Sequence, residues 1–204
     1  MRAMTTQLTR RRLVLASASP ARRRLLVDAG FDPQVVVSGV DEAAIDAESC
    51  RARVARLAAH KADAVAAQET DALVVGCDSM LELGGACLGK PGSAAEAETR
   101  WKDMRGQSGT LLTGHCLIDT RSGARATGVG ATTVRFGRPS NAEIAAYVAT
   151  GEPLHVAGAF TLDGRSAPFI DGIDGDASNV IGLSIPLLRH LLGELGVAVA
   201  DLWT

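Results

Sequence analysis

Residues 13–26 read Leu13-Val14-Leu15-Ala16-Ser17-Ala18-Ser19-Pro20-Ala21-Arg22-Arg23-Arg24-Leu25-Leu26. Four apolar residues pass through a Ser-Ala-Ser turn into a helix whose first turn is loaded with arginine. Ser19 is a good N-cap and Pro20 suits the first helical position, so the free backbone N–H groups of that turn face whatever the serines approach. A strand that enters a helix this way makes an anion site at the junction. At 100° per residue Arg22 shares the core-facing stripe with Leu25, Leu26 and Ala29, whereas Arg24 points the opposite way. A guanidinium held at a helix N-terminus meets the adverse end of the dipole and needs a strong acceptor. Arg22 alone reads equally as a ligand for a bound anion or as an arginine that snorkels to a structural carboxylate.

The rest of the chain extends the same alternation. A strand at Gln34–Ser38 leads to Asp41-Glu42, and an Ala/Arg-rich helix runs from about Ser49 to Gln68. The apolar strand Leu73-Val74-Val75-Gly76-Cys77 ends in Asp78, and a hairpin turns at Gly84-Gly85. Ser93 and Glu96 form a capping box for a helix to about Arg105, and Ser140 with Glu143 does the same for a helix to Thr150. Two long strands, 109–119 and 124–135, pair around Ser122-Gly123. Turns are expected at Asp163-Gly164 and over 171–176, then a last helix near 183–192. Residues 1–10 read as a disordered leader and 11–204 as a single domain. This alternation predicts an α/β fold with a mixed sheet rather than a bundle or sandwich.

Composition narrows the ligand. The net charge is −2, with the basic residues local rather than global, and only 3% of residues are aromatic, which disfavours nucleic-acid and membrane-surface binding. The apolar run after Arg10-Arg11-Arg12 is too short for a signal peptide, and no stretch approaches the roughly 18 apolar residues that span a bilayer. Cys50, Cys77, Cys87 and Cys116 lack metal-ligand spacing and read as free, buried thiols of a cytoplasmic protein.

Several positions then carry chemistry. Asp78, at the carboxyl end of an apolar strand, has the place where open α/β sheets hold ligand-facing groups. Lys61 sits on one helical face with Val54, Leu57, Ala58 and Val65, so a cation is centred on the buried stripe. Lys90 is fixed between Gly89 and Pro91. Gly84, Gly89 and Lys90 imitate a phosphate loop, but Pro91 stands where its Ser or Thr belongs, and the loop 171–176 lacks the terminal Glu of a calcium site. Arg22, Lys61 and Lys90 with Glu42 and Asp78 suit a polyphosphate bridged by a divalent ion, and so a metal-assisted phosphoanhydride or phosphodiester reaction.

Taken in order, Leu15-Ala16-Ser17-Ala18-Ser19-Pro20 with Arg22, Val40-Asp41-Glu42, Arg56-Leu57-Ala58-Ala59-His60-Lys61, Gly76-Cys77-Asp78-Ser79, Leu88-Gly89-Lys90-Pro91 and Val180-Ile181-Gly182-Leu183 resemble the Maf family of nucleoside triphosphate pyrophosphatases. The resemblance implies a two-lobed α/β fold with a deep central cleft, like that of inosine triphosphatases and often homodimeric. It implies hydrolysis of a nucleoside triphosphate to the monophosphate and pyrophosphate with Mg2+ or Mn2+. By that resemblance Asp78 is the base that activates water and, with Glu42, a metal ligand. Ser17, Ser19, Arg22, Lys61 and Lys90 bind phosphate. Three positions that set base preference, Ala21, Ser79 and Asp163, match neither the pyrimidine-preferring members nor the 7-methyl-GTP type. Asp163, an acceptor-only carboxylate, suits a guanine-like N–H edge. A nucleotide-binding regulator of division without turnover and a nucleotidyltransferase are the competing readings.

Overall fold

The computed structural model describes residues 11–204, and the leader expected over 1–10 lies outside them. The opening stretch forms β1 (Arg12–Leu15) and α1 (Pro20–Asp28), and β2 (Pro33–Val35) returns parallel to β1. Helix α2 (Cys50–Ala66) starts on its Ser49 cap and leads into β3 (Ala72–Leu83) and the hairpin partner β4 (Ala86–Leu88). Then come α3 (Ala94–Met104), the long pair β5 (Ser108–Asp119) and β6 (Arg125–Phe136), and α4 (Asn141–Ala149). The chain closes with β7 (Ile170–Asp174), α5 (Ala177–Ile181) and α6 (Ile185–Glu194).

One seven-stranded mixed sheet results, ordered β2-β1-β3-β5-β6-β7, with β4 also on β3. The β1 pairings with β2 and β3 are parallel and the rest antiparallel. Two apolar cores occupy its two ends. Leu26, Leu73, Val75, Leu188 and Leu192 join α1 and α6 to the start of β3, while Leu81, Trp101, Phe136 and Ile144 join α3 and α4 to its far end. The expected α/β class is therefore present, with a separate apolar core at each end of this face of the sheet.

The opposite face is covered by α2, and two glycines let it lie close. A Cβ on Gly76 would come within 2.4 Å of the Ala58 carbonyl oxygen, and one on Gly114 within 2.2 Å of the Val54 carbonyl oxygen. Ala58 and Ala62, both fully buried, keep the helix side of this contact equally small.

Four local expectations are corrected. The apolar strand does not end at Asp78 but continues to Leu83, because β5 pairs with it in register from Leu73 to Glu82. The segment 171–176 is largely strand, because Val134 and Thr133 of β6 pair with Ile173 and Asp174. The Ser93 cap is one-sided, since Glu96 accepts from the Gly92 N–H rather than from Ser93. Finally, Cys50 and Cys87 form a disulfide between the start of α2 and β4, with Cα atoms 5.3 Å apart, leaving Cys77 and Cys116 free and buried. Spacing along the chain carries no record of this tertiary proximity.

His115 ties β5 to the backbone at the start of α6 from within. Its Nε2 accepts from the Ser184 N–H at 2.9 Å, so Nδ1 carries the proton and donates to the Thr113 carbonyl at 3.0 Å. Burial, partly offset by that bond to Thr113, lowers its pKa to about 4. Two outcomes follow. Gly114→Ala lifts α2 from the sheet and costs about 1–3 kcal/mol in a denaturant melt. Because folded His115 resists protonation, stability is full above the unfolded value near 6.5 and falls with pH down to about 4. His115→Gln removes that part of the slope, on the order of 3 kcal/mol across the window, in unfolding followed at several pH values.

Candidate active site

The register of β3 makes the cleft. On one side β5 covers it throughout. On the other, β1 pairs only as far as Val75 and β4 only from Leu81, so residues 76–80 border a notch in the sheet. After Leu15 the chain leaves the sheet, with the Ala16 N–H still bound to the Val75 carbonyl, and delivers Ser17, Ser19 and α1 to the notch. Asp78 and Ser79 lie there side by side. Strand alternation sends them to opposite faces, Asp78 toward α2 and Ser79 toward α1. Asp78 thus stands in mid-strand but at the carboxyl end of its parallel neighbour β1, which preserves the logic that singled it out.

On the α2 face, Lys61 Nζ donates to Asp78 Oδ1 and to Glu42 Oε1, each at 2.6 Å. Lys61 and Asp78 are 8% exposed and Glu42 57%, so the triad runs from the interior to the mouth of the cleft. Asp41 is spent as the cap of the short turn that carries Glu42, accepting from the Ala43 N–H. Asp78 Oδ2 is buried and makes no hydrogen bond. Burial pushes the Asp78 pKa up, and the Lys61 and Arg22 charges only partly oppose it. For Glu42 burial also acts upward, but the Lys61 hydrogen bond and charge, with Lys90 and Arg22, win and lower it. Two carboxylates in one cluster are therefore pushed in opposite directions, a condition that separates a proton acceptor from a permanently charged ligand.

On the α1 face, Arg22 is held by acceptors from three segments. Its Nε donates to the Gly182 carbonyl at 2.7 Å, Nη1 to Ser17 Oγ at 3.0 Å and Nη2 to Ser79 Oγ at 3.1 Å. Among the described residues no carboxylate pairs with it, and it is hydroxyls and a carbonyl that hold it instead. Ser17 Oγ also accepts from the Ser19 N–H, and Ser19 Oγ caps the Arg22 N–H. A guanidinium has five N–H groups, so one on each terminal nitrogen remains for a ligand. Arg24 faces away and pairs with Asp163, whose other oxygen is taken by the Thr161 hydroxyl. Ala21 sits half-buried beside Arg22.

Lys90 borders the notch from the far side. Its backbone is set by Gly89, whose carbonyl accepts from Arg100 Nη1 at 2.5 Å and from the Gly158 N–H at 3.0 Å. The side chain is exposed, and its charge reaches Glu42. The structure therefore brings Ser17, Ser19, Arg22, Glu42, Lys61, Asp78, Ser79 and Lys90 together around one notch, with Asp163 engaged by Arg24 at the outer end of α1. Sequence reasoning passed over Thr113, Asn179 and the Gly182 carbonyl. The available signal was polar: Thr113 stands amid a buried apolar strand.

Three cations and two carboxylates surround a notch in the mixed sheet of an α/β protein, an arrangement whose charge suits a polyanion. Residues 12–195 match the family model described as Maf-like protein, and the chain belongs to that family. A relative from Streptomyces avermitilis is 61% identical, covering 98% of each chain, and one from Streptomyces coelicolor is 62% identical over the same shares. A third, from Salinispora tropica, is 53% identical over 95% of this chain and 88% of its own. All three are named nucleoside triphosphate pyrophosphatase. A solved dITP/XTP pyrophosphatase from Mycobacterium abscessus aligns over 91% of this chain and 97% of its own, at TM-score 0.41 and 13% identity, a likeness too loose to support an argument.

In a carbon-detected NMR titration, Asp78 has its midpoint above the ordinary 3.8 and Glu42 below 4.5. Lys61→Met moves both upward, because it removes the charge that favours each ionised carboxylate.

Proposed function

We propose that this protein hydrolyses a nucleoside triphosphate to the monophosphate and pyrophosphate. The observation that carries the reading is Asp78: a buried carboxylate with a raised pKa, one oxygen tied to Lys61 and the other without a partner. Such an oxygen can accept a proton from water. The water oxygen bonds to the α-phosphorus, the bond from that phosphorus to the bridging oxygen breaks, and pyrophosphate leaves with the electron pair. Lys61 holds Asp78 Oδ1 in place while the proton passes to Oδ2. Arg22, Lys90 and the Ser17–Ser19 turn hold the triphosphate against the notch, where positioning supplies much of the rate.

The donors also fit a divalent cation. Asp78 and Glu42 are hard oxygen ligands, and Asp78 Oδ2 is buried and unpaired. Two carboxylates suit Mg2+ or Mn2+, which retain waters and bind phosphate oxygens. A bound ion would offset charge on the phosphates. The exposed mouth at Glu42 gives it access.

Base choice falls to Ala21, Ser79 and Asp163 in this reading, and a guanine-like edge at Asp163 has to compete with Arg24 and Thr161. No described helix is long and apolar enough to cross a membrane. We infer a cytoplasmic protein without nucleic-acid or membrane partners from the proposed substrate class, and a homodimer from the family resemblance.

The test is pyrophosphate release from a panel of canonical and modified triphosphates with Mg2+ or Mn2+. Turnover is expected, with Asp78→Asn reducing kcat by about a thousandfold or more. Asp78→Asn removes a carboxylate whose ionisation the fold disfavours and leaves Lys61 paired with Glu42, so it melts no lower than the parent. Orthophosphate release, or tight binding without turnover, would overturn this reading. Thymidine or uridine triphosphates far outrunning every guanine nucleotide would remove Asp163 from base recognition.

A further inference from the structure

Arg22 can only donate, so Ser79 Oγ accepts in the bond between them, and the open question is where the Ser79 proton goes. Ser79 Oγ lies 2.9 Å from Thr113 Oγ1, and either hydroxyl could donate. The next link settles the direction. Thr113 Oγ1 donates to the Asn179 carbonyl at 2.9 Å, and a hydroxyl has one proton. The proton between the two hydroxyls is therefore that of Ser79, which donates inward to Thr113. Its lone pairs face outward, where Arg22 Nη2 donates at 3.1 Å.

The far end of this chain is anchored. Asn179 Nδ2 donates to the Leu111 carbonyl and to Thr132 Oγ1, each at 3.1 Å, and His115 fixes the Thr113 carbonyl. Thr113 is fully buried and does not reach the ligand space. With its hydroxyl removed, the Ser79 proton loses its acceptor. The hydroxyl is then free to turn toward Arg22, where two donors would oppose each other and the guanidinium would lose one of its three restraints.

We propose that Thr113 is a positioning residue of this cleft: by accepting the Ser79 proton it keeps Ser79 an acceptor and so orients the Arg22 guanidinium toward the phosphates. This rests on reading the notch as a polyphosphate site.

Three variants decide it. Thr113→Val removes the hydroxyl at nearly constant volume, Thr113→Ser retains it, and Ser79→Ala breaks the relay from the other side. Thr113→Val is expected to raise both KM for the best triphosphate and the calorimetric Kd for pyrophosphate by about tenfold, with kcat within about threefold. Thr113→Ser recovers to within about threefold, and in the Ser79→Ala background Thr113→Val adds less than about twofold. Should Thr113→Val not fold, Ser79→Ala alone carries the same expected rise in pyrophosphate Kd. A lower melting temperature with unchanged KM and Kd, a Thr113→Ser as impaired as Thr113→Val, or independent multiplication of the two substitutions would overturn the proposal. A wild-type protein that binds pyrophosphate without turnover would end the hydrolase reading and leave the relay judged on Kd. Failure of the wild type to bind pyrophosphate would overturn both.

Discussion

The Lys61–Asp78 ion pair is the interaction on which the rest of the site depends. An ionised carboxylate without a partner is costly to bury, and this one lies in the middle of a sheet strand. Lys61 makes it tolerable, but only because α2 lies close enough for a short, direct contact. Gly76 and Gly114 on the sheet and Ala58 and Ala62 on the helix provide that closeness. Asp78 still has a raised pKa. Its charge is held in place by the fold rather than preferred by it, and such a group is ready to take a proton.

The second constraint is the interrupted neighbour of β3. A strand flanked on both sides by continuous partners offers only side chains to a ligand. Here β1 leaves at Leu15 and β4 begins opposite Leu81, so the Ser17–Ser19 turn, a buried carboxylate and a lysine-bearing hairpin meet in the same gap. The two cores lie on either side of this gap. The Cys50–Cys87 disulfide and the hydrogen bond of Arg22 across to Gly182 tie its walls together.

Much of this was legible in the chain. Period-3.6 patterning placed Lys61 on the buried face of its helix and Arg22 on the inner face of α1, and cap residues located helix starts at Ser19, Ser93 and Ser140. These are local properties, written within one or two turns. The failures were not local. A turn-rich stretch at 171–176 became strand because β6 offered it an edge, and Asp78 lay in mid-strand because β5 carried the ladder past it.

The sequence by itself determined the elements, the apolar faces, the charged residues set into those faces and, through ordered motifs, the family. Tertiary structure alone decided which charges meet: that Lys61 bridges Asp78 and Glu42, that Arg22 finds hydroxyls and a carbonyl instead of a carboxylate, and that Cys50 reaches Cys87. The physical reason is distance along the chain. Helical and strand periodicity extends over a few residues, whereas partners such as Arg22 and Gly182 are 160 apart in sequence and are joined only by the register of the sheet between them.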